Sequence, residues 1–186
     1  DASTIPLGVY NNPPRVKTDL SAEEVLKIAA HPNVRLLKES TGRVGQAALI
    51  ARGNPEMSRM GCCSPNLGLI VPTMSLGGHG TANMTGNIIP REMAVISKPW
   101  ENFEDAANFQ EAYLRNLPML HYAYSAINPV PMKSLMAAMG MPAGPLRKPQ
   151  KALRGDALQR GLDAVEELGL IDAYGFSPIG VLAAAE

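Results

Sequence analysis

An amine and a phenol follow two short apolar segments near the start of the chain. Tyr10 ends a segment that begins at Ile5, and Lys38 directly follows the apolar residues of 34–37. In parallel sheets the carboxyl ends of the strands face the ligand crevice, so we expect these two side chains to meet there. A nucleophilic amine beside a hydroxyl that relays protons is what an enzyme needs to form an imine with a carbonyl substrate.

Each of these residues also has a more ordinary interpretation. Most lysines are solvated surface charges, and a tyrosine at a strand end often places its hydroxyl at the rim of the sheet. The position of Lys38 directly after the apolar Leu36 and Leu37 favours the chemical interpretation. For Glu39, a role as a base is weighed against one in which it orients the turn or binds backbone amides, and we expect the second.

Alternating strand and helix patterns position these residues in the first half of the chain. A capping box at 21–24 starts one helix, and a glycine turn at 77–80 holds His79, for which we expect a structural role. We predict strands over 5–10, 34–38, 57–63 and 81–86, and helices over 21–31, 46–52 and 67–76. Repeated strand–helix units indicate a parallel sheet with right-handed crossovers, and the pattern alone fits an open sheet or part of a barrel.

Beyond Pro90 the pattern becomes helical. We predict helices over 101–117, 120–127, 132–139 and 155–169, and an apolar stripe on the first of them formed by Phe103, Ala107, Phe109, Tyr113 and Leu114. The last residues, 176–186, are small and apolar, and we expect a poorly ordered tail. The predicted domains are a barrel part over 1–98, a helical region over 99–175 and this tail.

Composition excludes several classes of partner. The chain has 186 residues, 46% of them hydrophobic, with 17 basic and 17 acidic side chains. A nucleic acid or an anionic membrane usually requires a basic excess, and no apolar run is long enough to span a bilayer. The adjacent Cys62 and Cys63 are expected to be reduced, buried thiols, because a metal site would need further ligands. These features predict a cytoplasmic protein without metal or cofactor.

Several motifs, in order, carry a resemblance to a known family. They are Tyr-Asn-Asn-Pro-Pro-Arg at 10–15, Lys-Glu-Ser-Thr-Gly at 38–42, Leu-Gly-Gly-His-Gly at 76–80 with Asn87, Asn-Pro-Val-Pro-Met-Lys at 128–133 and Leu-Arg-Lys-Pro at 146–149. Over about 5–171 the chain resembles the dihydrodipicolinate synthase / N-acetylneuraminate lyase family. The resemblance implies an α/β fold, the C-terminal half of a (β/α)₈ TIM barrel with strands five to eight, followed by extra C-terminal helices.

The resemblance also assigns roles to residues. Lys38 would form the imine with pyruvate or another 2-oxo acid, a step that needs a neutral amine, and Tyr10 would relay protons. Arg15 resembles the arginine that holds the carboxylate of the second substrate in the synthase branch. The remaining positions that correspond to the substrate pocket are Thr41, Pro65, Asn66 and Ala82.

Three functions stay open at this point. The first is a synthase that condenses pyruvate with a carboxylate-bearing aldehyde, favoured by Arg15. The second is a sugar-acid aldolase or dehydratase of the same superfamily. The third is a non-catalytic half-barrel that pairs with itself or a partner through exposed strand edges. The family implies a homo-oligomer, commonly a tetramer.

Overall fold

A parallel sheet forms the centre of the first part of the chain. The computed structural model describes residues 3–53 and 55–176, so the predicted tail lies outside them except for Phe176. Within these residues the strands are β1 (Leu7–Asn11), β2 (Val34–Glu39), β3 (Ser58–Cys62) and β4 (Gly80–Ala82), in the order β1-β2-β3-β4. Each strand is parallel to the next, as the strand–helix alternation predicts.

Helices follow each strand and then continue to the end of the described chain. They are α1 (Pro13–Val16), α2 (Ala22–Ala29), α3 (Val44–Arg52), α4 (Ile70–Ser75), α5 (Pro90–Ile96), α6 (Phe103–Arg115), α7 (Leu117–Ala123), α8 (Val130–Ala138), α9 (Asp156–Glu167) and α10 (Leu170–Tyr174). In the parts that the structure describes, no helix is both long and apolar enough to cross a membrane.

The predicted capping box starts α2. The Ser21 hydroxyl accepts a hydrogen bond from the backbone N–H of Glu24 at 3.2 Å, and the Glu24 carboxylate accepts one from the backbone N–H of Ser21 at 2.8 Å. The Ser21 hydroxyl also donates to the Glu24 carboxylate at 2.9 Å, and the two hydrogen bonds that this carboxylate accepts, the one from the Ser21 backbone N–H first, lower the pKa of Glu24. The helix thus begins where the sequence predicts, and it buries Val25 against Leu37 of β2 and Ile50 of α3.

By internal packing the chain divides into two compact units. One contains Asp1–Asn83 and Ala94–Glu111, and the other contains Met84–Met93 and Ala112–Glu186. The first holds the sheet with α2, α3 and α4. In the second, α9 packs against α7, α8 and α10. The domain boundaries at 98 and 175 remain a prediction.

Tight packing joins α7 and α9 within the second unit. Tyr122 is buried, and its hydroxyl donates a hydrogen bond to the carbonyl oxygen of Pro131 at 3.3 Å. Burial raises the pKa of Tyr122 to about 12. A β-carbon at Gly161 would lie 2.4 Å from the Tyr122 ring, so this crossing requires a residue without a side chain.

Several element boundaries differ from those predicted. The fourth strand covers 80–82 rather than 81–86, because residues 85–87 form a 3₁₀ turn in which the Asn87 side chain donates to the Met84 carbonyl oxygen at 2.7 Å. The helix predicted over 120–127 begins at Leu117 instead. Pro118 lies in the first turn, where a proline is favourable and does not interrupt the helix.

The predicted apolar stripe on α6 is wrong at three of its positions. Phe103 is 88% exposed and Leu114 is 55% exposed, and Ala107 is also exposed. The buried positions of the helix include Phe109 and Asp105, four residues apart, so the buried face is rotated from the predicted one. A buried aspartate is invisible to a pattern of apolar residues.

Candidate active site

The structure brings Lys38 and Tyr10 together at the carboxyl ends of β2 and β1. The strand register pairs the two residues, and Lys38 Nζ lies 4.4 Å from the centroid of the Tyr10 ring. Lys38 is half-buried, and Tyr10 is 39% exposed. The expected meeting of the amine and the phenol is therefore observed, and their catalytic roles remain a prediction.

The Tyr10 hydroxyl has a fixed neighbour. Asn12 Nδ2 donates a hydrogen bond to Tyr10 Oη at 2.6 Å. Because the phenolic oxygen accepts from the amide, its own proton is available to a group on its other side. This arrangement suits a hydroxyl that gives a proton to a substrate and receives it back.

The row that contains Tyr10 and Lys38 continues across the sheet. Lys38 pairs with Met60 of β3, and Met60 pairs with Gly80 of β4. Gly80 has a backbone φ of 143°, and a β-carbon there would lie 3.1 Å from the Ser97 carbonyl oxygen. Only glycine adopts this conformation readily, so the row ends without a side chain on β4.

The next row, Asn11–Glu39–Gly61–Thr81, faces the helices. Successive residues of a strand point to opposite faces, so Glu39 lies on the side opposite to Lys38. Glu39 and Asn11 are 5% and 1% exposed. Two backbone N–H groups, of Ser40 at 2.9 Å and Thr41 at 2.8 Å, donate to Glu39 Oε1. The expectation that Glu39 orients the turn or binds backbone amides is confirmed in its second form, because both of these donors are backbone amides.

The other predicted pocket residues lie at the same edge of the sheet. Thr41 is buried in the turn after β2, and its hydroxyl accepts from the backbone N–H of Arg43 at 3.3 Å. Pro65 and Asn66 start the 3₁₀ helix that follows β3, Pro65 half-buried and Asn66 exposed. Ala82 is the half-buried last residue of β4. Their contacts with substrate remain a prediction.

Arg15 lies on α1, the one-turn helix that leaves β1. Its side chain is exposed, and its backbone N–H donates to the Asn12 carbonyl oxygen at 3.0 Å. The helix ends at Lys17 in the left-handed conformation, with φ of 61°. The turn therefore holds Arg15 five residues after Tyr10 at the carboxyl edge of the sheet.

His79 stabilises the turn between α4 and β4 through hydrogen bonds to Arg59, in agreement with its predicted structural role. Its backbone N–H donates to the Arg59 carbonyl oxygen at 2.8 Å, and its Nδ1 accepts from the Arg59 backbone N–H at 3.2 Å. The Arg59 guanidinium donates to the carbonyl oxygens of Leu76 and Gly77. Burial lowers the pKa of Arg59.

The two adjacent cysteines lie at the end of β3. Cys62 and Cys63 are buried thiols that do not form a disulfide. In residues 3–53 and 55–176, no group of three His, Cys, Asp or Glu side chains is arranged to hold a metal ion.

Two features of the site were missed in the sequence. Asn11 and Gln46 both donate side-chain hydrogen bonds to Glu39, and the Ser40 hydroxyl is buried without a hydrogen-bond partner in the described part of the chain. Strict alternation from Leu37 places Glu39 on the buried helix face, and this was the available signal for a polar network there. No pattern in the sequence indicates the unsatisfied hydroxyl.

The fold and the site together define an α/β barrel-type protein with an amine and a phenol at the carboxyl edge of its strands. The model of the dihydrodipicolinate synthetase family matches residues 1–168, and the chain belongs to that family. The chain is 36% identical over 149 residues to the 4-hydroxy-tetrahydrodipicolinate synthase of Caldicellulosiruptor bescii. The aligned residues cover 80% of this chain and 49% of that protein.

Solved structures show the same fold. The dihydrodipicolinate synthase of Cyanidioschyzon merolae, solved with lysine bound, is 30% identical with a TM-score of 0.76, over 89% of this chain and 55% of that one. The chloride-inhibited enzyme of Acinetobacter baumannii, solved in complex with pyruvate, is 27% identical with a TM-score of 0.74, over 91% and 57%. The chain spans about half the length of the curated relatives that it matches.

Proposed function

We propose that this chain carries the imine-forming half of a lyase active site. The reaction is that of 4-hydroxy-tetrahydrodipicolinate synthase, in which pyruvate condenses with a carboxylate-bearing aldehyde. The observation that carries the proposal is the position of Lys38 Nζ, 4.4 Å from the Tyr10 ring centroid at the carboxyl end of a parallel sheet. Family membership and the names of the relatives support the same chemistry.

The first half of the reaction uses the Lys38 amine as nucleophile. Its nitrogen attacks the keto carbon of pyruvate, and loss of water leaves a protonated imine. That imine withdraws electrons from the neighbouring methyl group, which loses a proton to the Tyr10 phenolate oxygen to give an enamine. Tyr10 donates the proton that lets the oxygen of the first adduct leave as water.

The second half forms the carbon–carbon bond. The enamine carbon attacks the aldehyde carbon, and the Tyr10 hydroxyl donates its proton to the aldehyde oxygen, which becomes a hydroxyl group. Water then releases the product from Lys38 and restores the amine. Arg15 would hold the aldehyde's carboxylate through two parallel hydrogen bonds, which a guanidinium provides.

Reductive trapping tests the proposal directly. In the complete protein, borohydride with pyruvate should add one reduced pyruvyl group to the peptide that contains Lys38. Lys38→Arg should abolish the addition. Lys27→Arg, which changes an exposed lysine on α2, is the matched control and should leave it intact. Modification of another residue, or none with any 2-oxo acid, would refute the assignment.

A sugar-acid aldolase or dehydratase is the second candidate, and it uses the same imine. Asn66 and Asn83 favour it, because both are exposed amides after strands at the same edge and amides bind sugar hydroxyls well. Turnover of 2-oxo-3-deoxy sugar acids, measured beside turnover of the carboxylate-bearing aldehyde, separates the two. A cytoplasmic homotetramer is the assembly that the family implies, and it remains a prediction.

A further inference from the structure

We infer that Glu39 is a positioning residue that fixes Lys38 and Tyr10 relative to each other, an inference that rests on the proposed function of that pair. Glu39 does not face the substrate side of the sheet. Its carboxylate instead joins the turn after β2 to the end of β1, on the face opposite to the two reactive side chains. Its effect on the chemistry would therefore be transmitted through the strands.

Four N–H groups converge on the Glu39 carboxylate. Ser40 and Thr41 donate their backbone N–H groups to Oε1 at 2.9 and 2.8 Å. Asn11 Nδ2 and Gln46 Nε2 donate to Oε2 at 3.3 and 3.1 Å. An ionised carboxylate is the side-chain group that only accepts, with room for four donors, and hydrogen bonds to it are stronger than neutral ones.

Other hydrogen bonds fix the orientation of the two side-chain amides, so neither can rotate by 180° to bind a different partner. Asn11 Oδ1 accepts from the Leu20 N–H at 3.2 Å while its Nδ2 donates to the Leu20 carbonyl at 3.1 Å. Gln46 Nε2 also donates to that carbonyl, at 3.0 Å, and Gln46 Oε1 accepts from Arg43 Nε at 3.2 Å. Rotation of either amide by 180° would place donors against donors and acceptors against acceptors. Both amides are therefore held with their N–H groups toward Glu39.

Adjacency in the strands transmits the restraint. Asn11 follows Tyr10 and Glu39 follows Lys38, and the register pairs each couple across β1 and β2. Fixing Asn11 to Glu39 on one face fixes the peptide units that carry Tyr10 and Lys38 on the other. The segment before α2 is tied to the same point, because the Arg43 guanidinium binds the Asp19 carboxylate and the Leu20 carbonyl.

The test replaces the acceptor and keeps its size. In the complete protein, Glu39→Gln replaces the carboxylate oxygen that Asn11 and Gln46 bind with an NH₂ group. Both amides would then lose their hydrogen-bond acceptor. The rate of imine formation at saturating pyruvate, followed by timed borohydride trapping at Lys38, should fall about ten- to hundredfold, since a displacement of about 1 Å can cost roughly a hundredfold. Glu23→Gln, which removes a carboxylate from an exposed ion pair with Lys27, is the matched control and should leave the rate unchanged.

Melting temperatures separate positioning from stability alone. If Glu39 only stabilises the fold, Glu39→Gln should have a lower melting temperature but an unchanged rate of imine formation at temperatures where it is folded. This result would overturn the inference. If Glu39→Gln does not fold, Gln46→Met removes one donor and should slow imine formation by up to about tenfold. An unchanged rate in that variant also overturns it. Failure of the wild-type protein to trap pyruvate at Lys38 would instead overturn the proposed function and this inference together.

Discussion

At the scale of single residues, Tyr10 combines two contacts that can be separated by one substitution. Its ring lies beside Lys38 Nζ, and its hydroxyl accepts from Asn12. Tyr10→Phe keeps the ring and removes the hydroxyl. We expect imine trapping at Lys38 to slow by about 10²- to 10⁴-fold, the usual contribution of a general acid or base. Timed borohydride trapping measures the rate.

Asn12→Ala serves as the companion variant for Tyr10→Phe. It removes the donor to the Tyr10 hydroxyl and leaves the hydroxyl itself, so the slowing should be smaller. A wild-type rate in Tyr10→Phe would show that the phenol only packs against Lys38.

Arg15 offers a test of substrate choice. Its side chain is exposed, so we place the loss of its substrate contact at the lower end of the range for buried charge pairs, about 2 kcal/mol, or roughly thirtyfold. Arg15→Ala should raise the KM for the carboxylate-bearing aldehyde by this factor, while imine trapping at Lys38 persists. Steady-state kinetics with the aldehyde varied give the KM.

A matched arginine makes the Arg15 result specific. Arg35→Ala removes another exposed arginine, on β2, and should leave the KM unchanged. An unchanged KM in Arg15→Ala would make Arg15 an ordinary loop charge and favour the sugar-acid reaction.

The proximity of Lys38 and Tyr10 could be predicted from the sequence, and the hydrogen-bond network around Glu39 could not. Lys38 and Tyr10 follow apolar strands, and parallel strands place their carboxyl ends at one edge by geometry alone. The partners of Glu39 depend instead on how the segment after β1 folds back. Asn11 binds the backbone of Leu20, nine residues further on, and no local pattern specifies this distance.

At the scale of elements, the crossing of α7 and α9 depends on Gly161. A β-carbon there would lie 2.4 to 2.7 Å from atoms of the Tyr122 ring, which is buried and cannot easily move. Gly161→Ala should lower the free energy of unfolding by about 1–3 kcal/mol, as overpacking typically does. Urea unfolding followed by circular dichroism measures this change.

A second glycine in a helix is the control for Gly161. Gly45 lies in α3 with nothing within 4 Å of its would-be β-carbon. Gly45→Ala should raise the free energy of unfolding by about 0.5–1 kcal/mol, because alanine has the better helix propensity. Equal stability of Gly161→Ala and the wild-type protein would show that α7 and α9 can separate freely.

The start of α6 should make stability depend on pH. The Asp105 carboxylate accepts from Lys98 Nζ and from the Glu101 backbone N–H at 3.0 Å. The Lys98 hydrogen bond is the main reason that the pKa of Asp105 is lowered, and the Asp105 hydrogen bond likewise raises the pKa of Lys98. The aspartate therefore stabilises the fold above its ordinary pKa and loses this effect as the pH falls through the lowered value.

Asp105→Asn tests this dependence. The difference in free energy of unfolding between wild type and variant should be largest near neutral pH and should shrink as the pH falls below the ordinary aspartate value of 3.8. On the alkaline side, the contribution of Lys98 persists to its own raised pKa. Glu111→Gln, which changes an exposed acid on α6, is the control. Its difference in free energy of unfolding from the wild type should not change with pH. A pH-independent difference for Asp105→Asn would rule out the ion pair as its cause.

Elements dominated by apolar periodicity were predictable, and those set by polar contacts were not. The runs around β1, β2 and β3 locate the strands to within a few residues. β4 is short because Asn87 closes a turn, and the buried face of α6 is offset because Asp105 lies on it. Both effects come from side-chain hydrogen bonds, which hydrophobic patterns do not register.

At the scale of the whole molecule, β1 forms an edge of the sheet in the described part of the chain. Its residues are mostly exposed, with Leu7 42% and Tyr10 39% exposed. An unpaired edge leaves backbone N–H and C=O groups without ladder partners and loosens the strand that carries Tyr10. The chain also spans about half the length of its curated relatives.

We therefore expect residues 1–186, produced alone with the mass confirmed, to show no turnover. Mixing this polypeptide with the other half of the barrel should restore activity, because a second strand along β1 would complete the ladder. Concentration-dependent sedimentation of residues 1–186 alone would reveal self-pairing, the behaviour of a non-catalytic half-barrel. Full activity of residues 1–186 alone would show that the half-barrel interpretation is wrong.

The paired rows of the sheet have a consequence for how the sequence can change. Lys38 and Glu39 face opposite sides because they are neighbours in β2, and their partners on β1 alternate in the same way. A single inserted or deleted residue early in β2 would move each side chain to the opposite face of the sheet. The Lys38 amine would then be buried against the helices, and the Glu39 carboxylate would lie on the face that Lys38 now occupies. Divergence along β1 and β2 should therefore proceed by substitution, with the number of residues held constant.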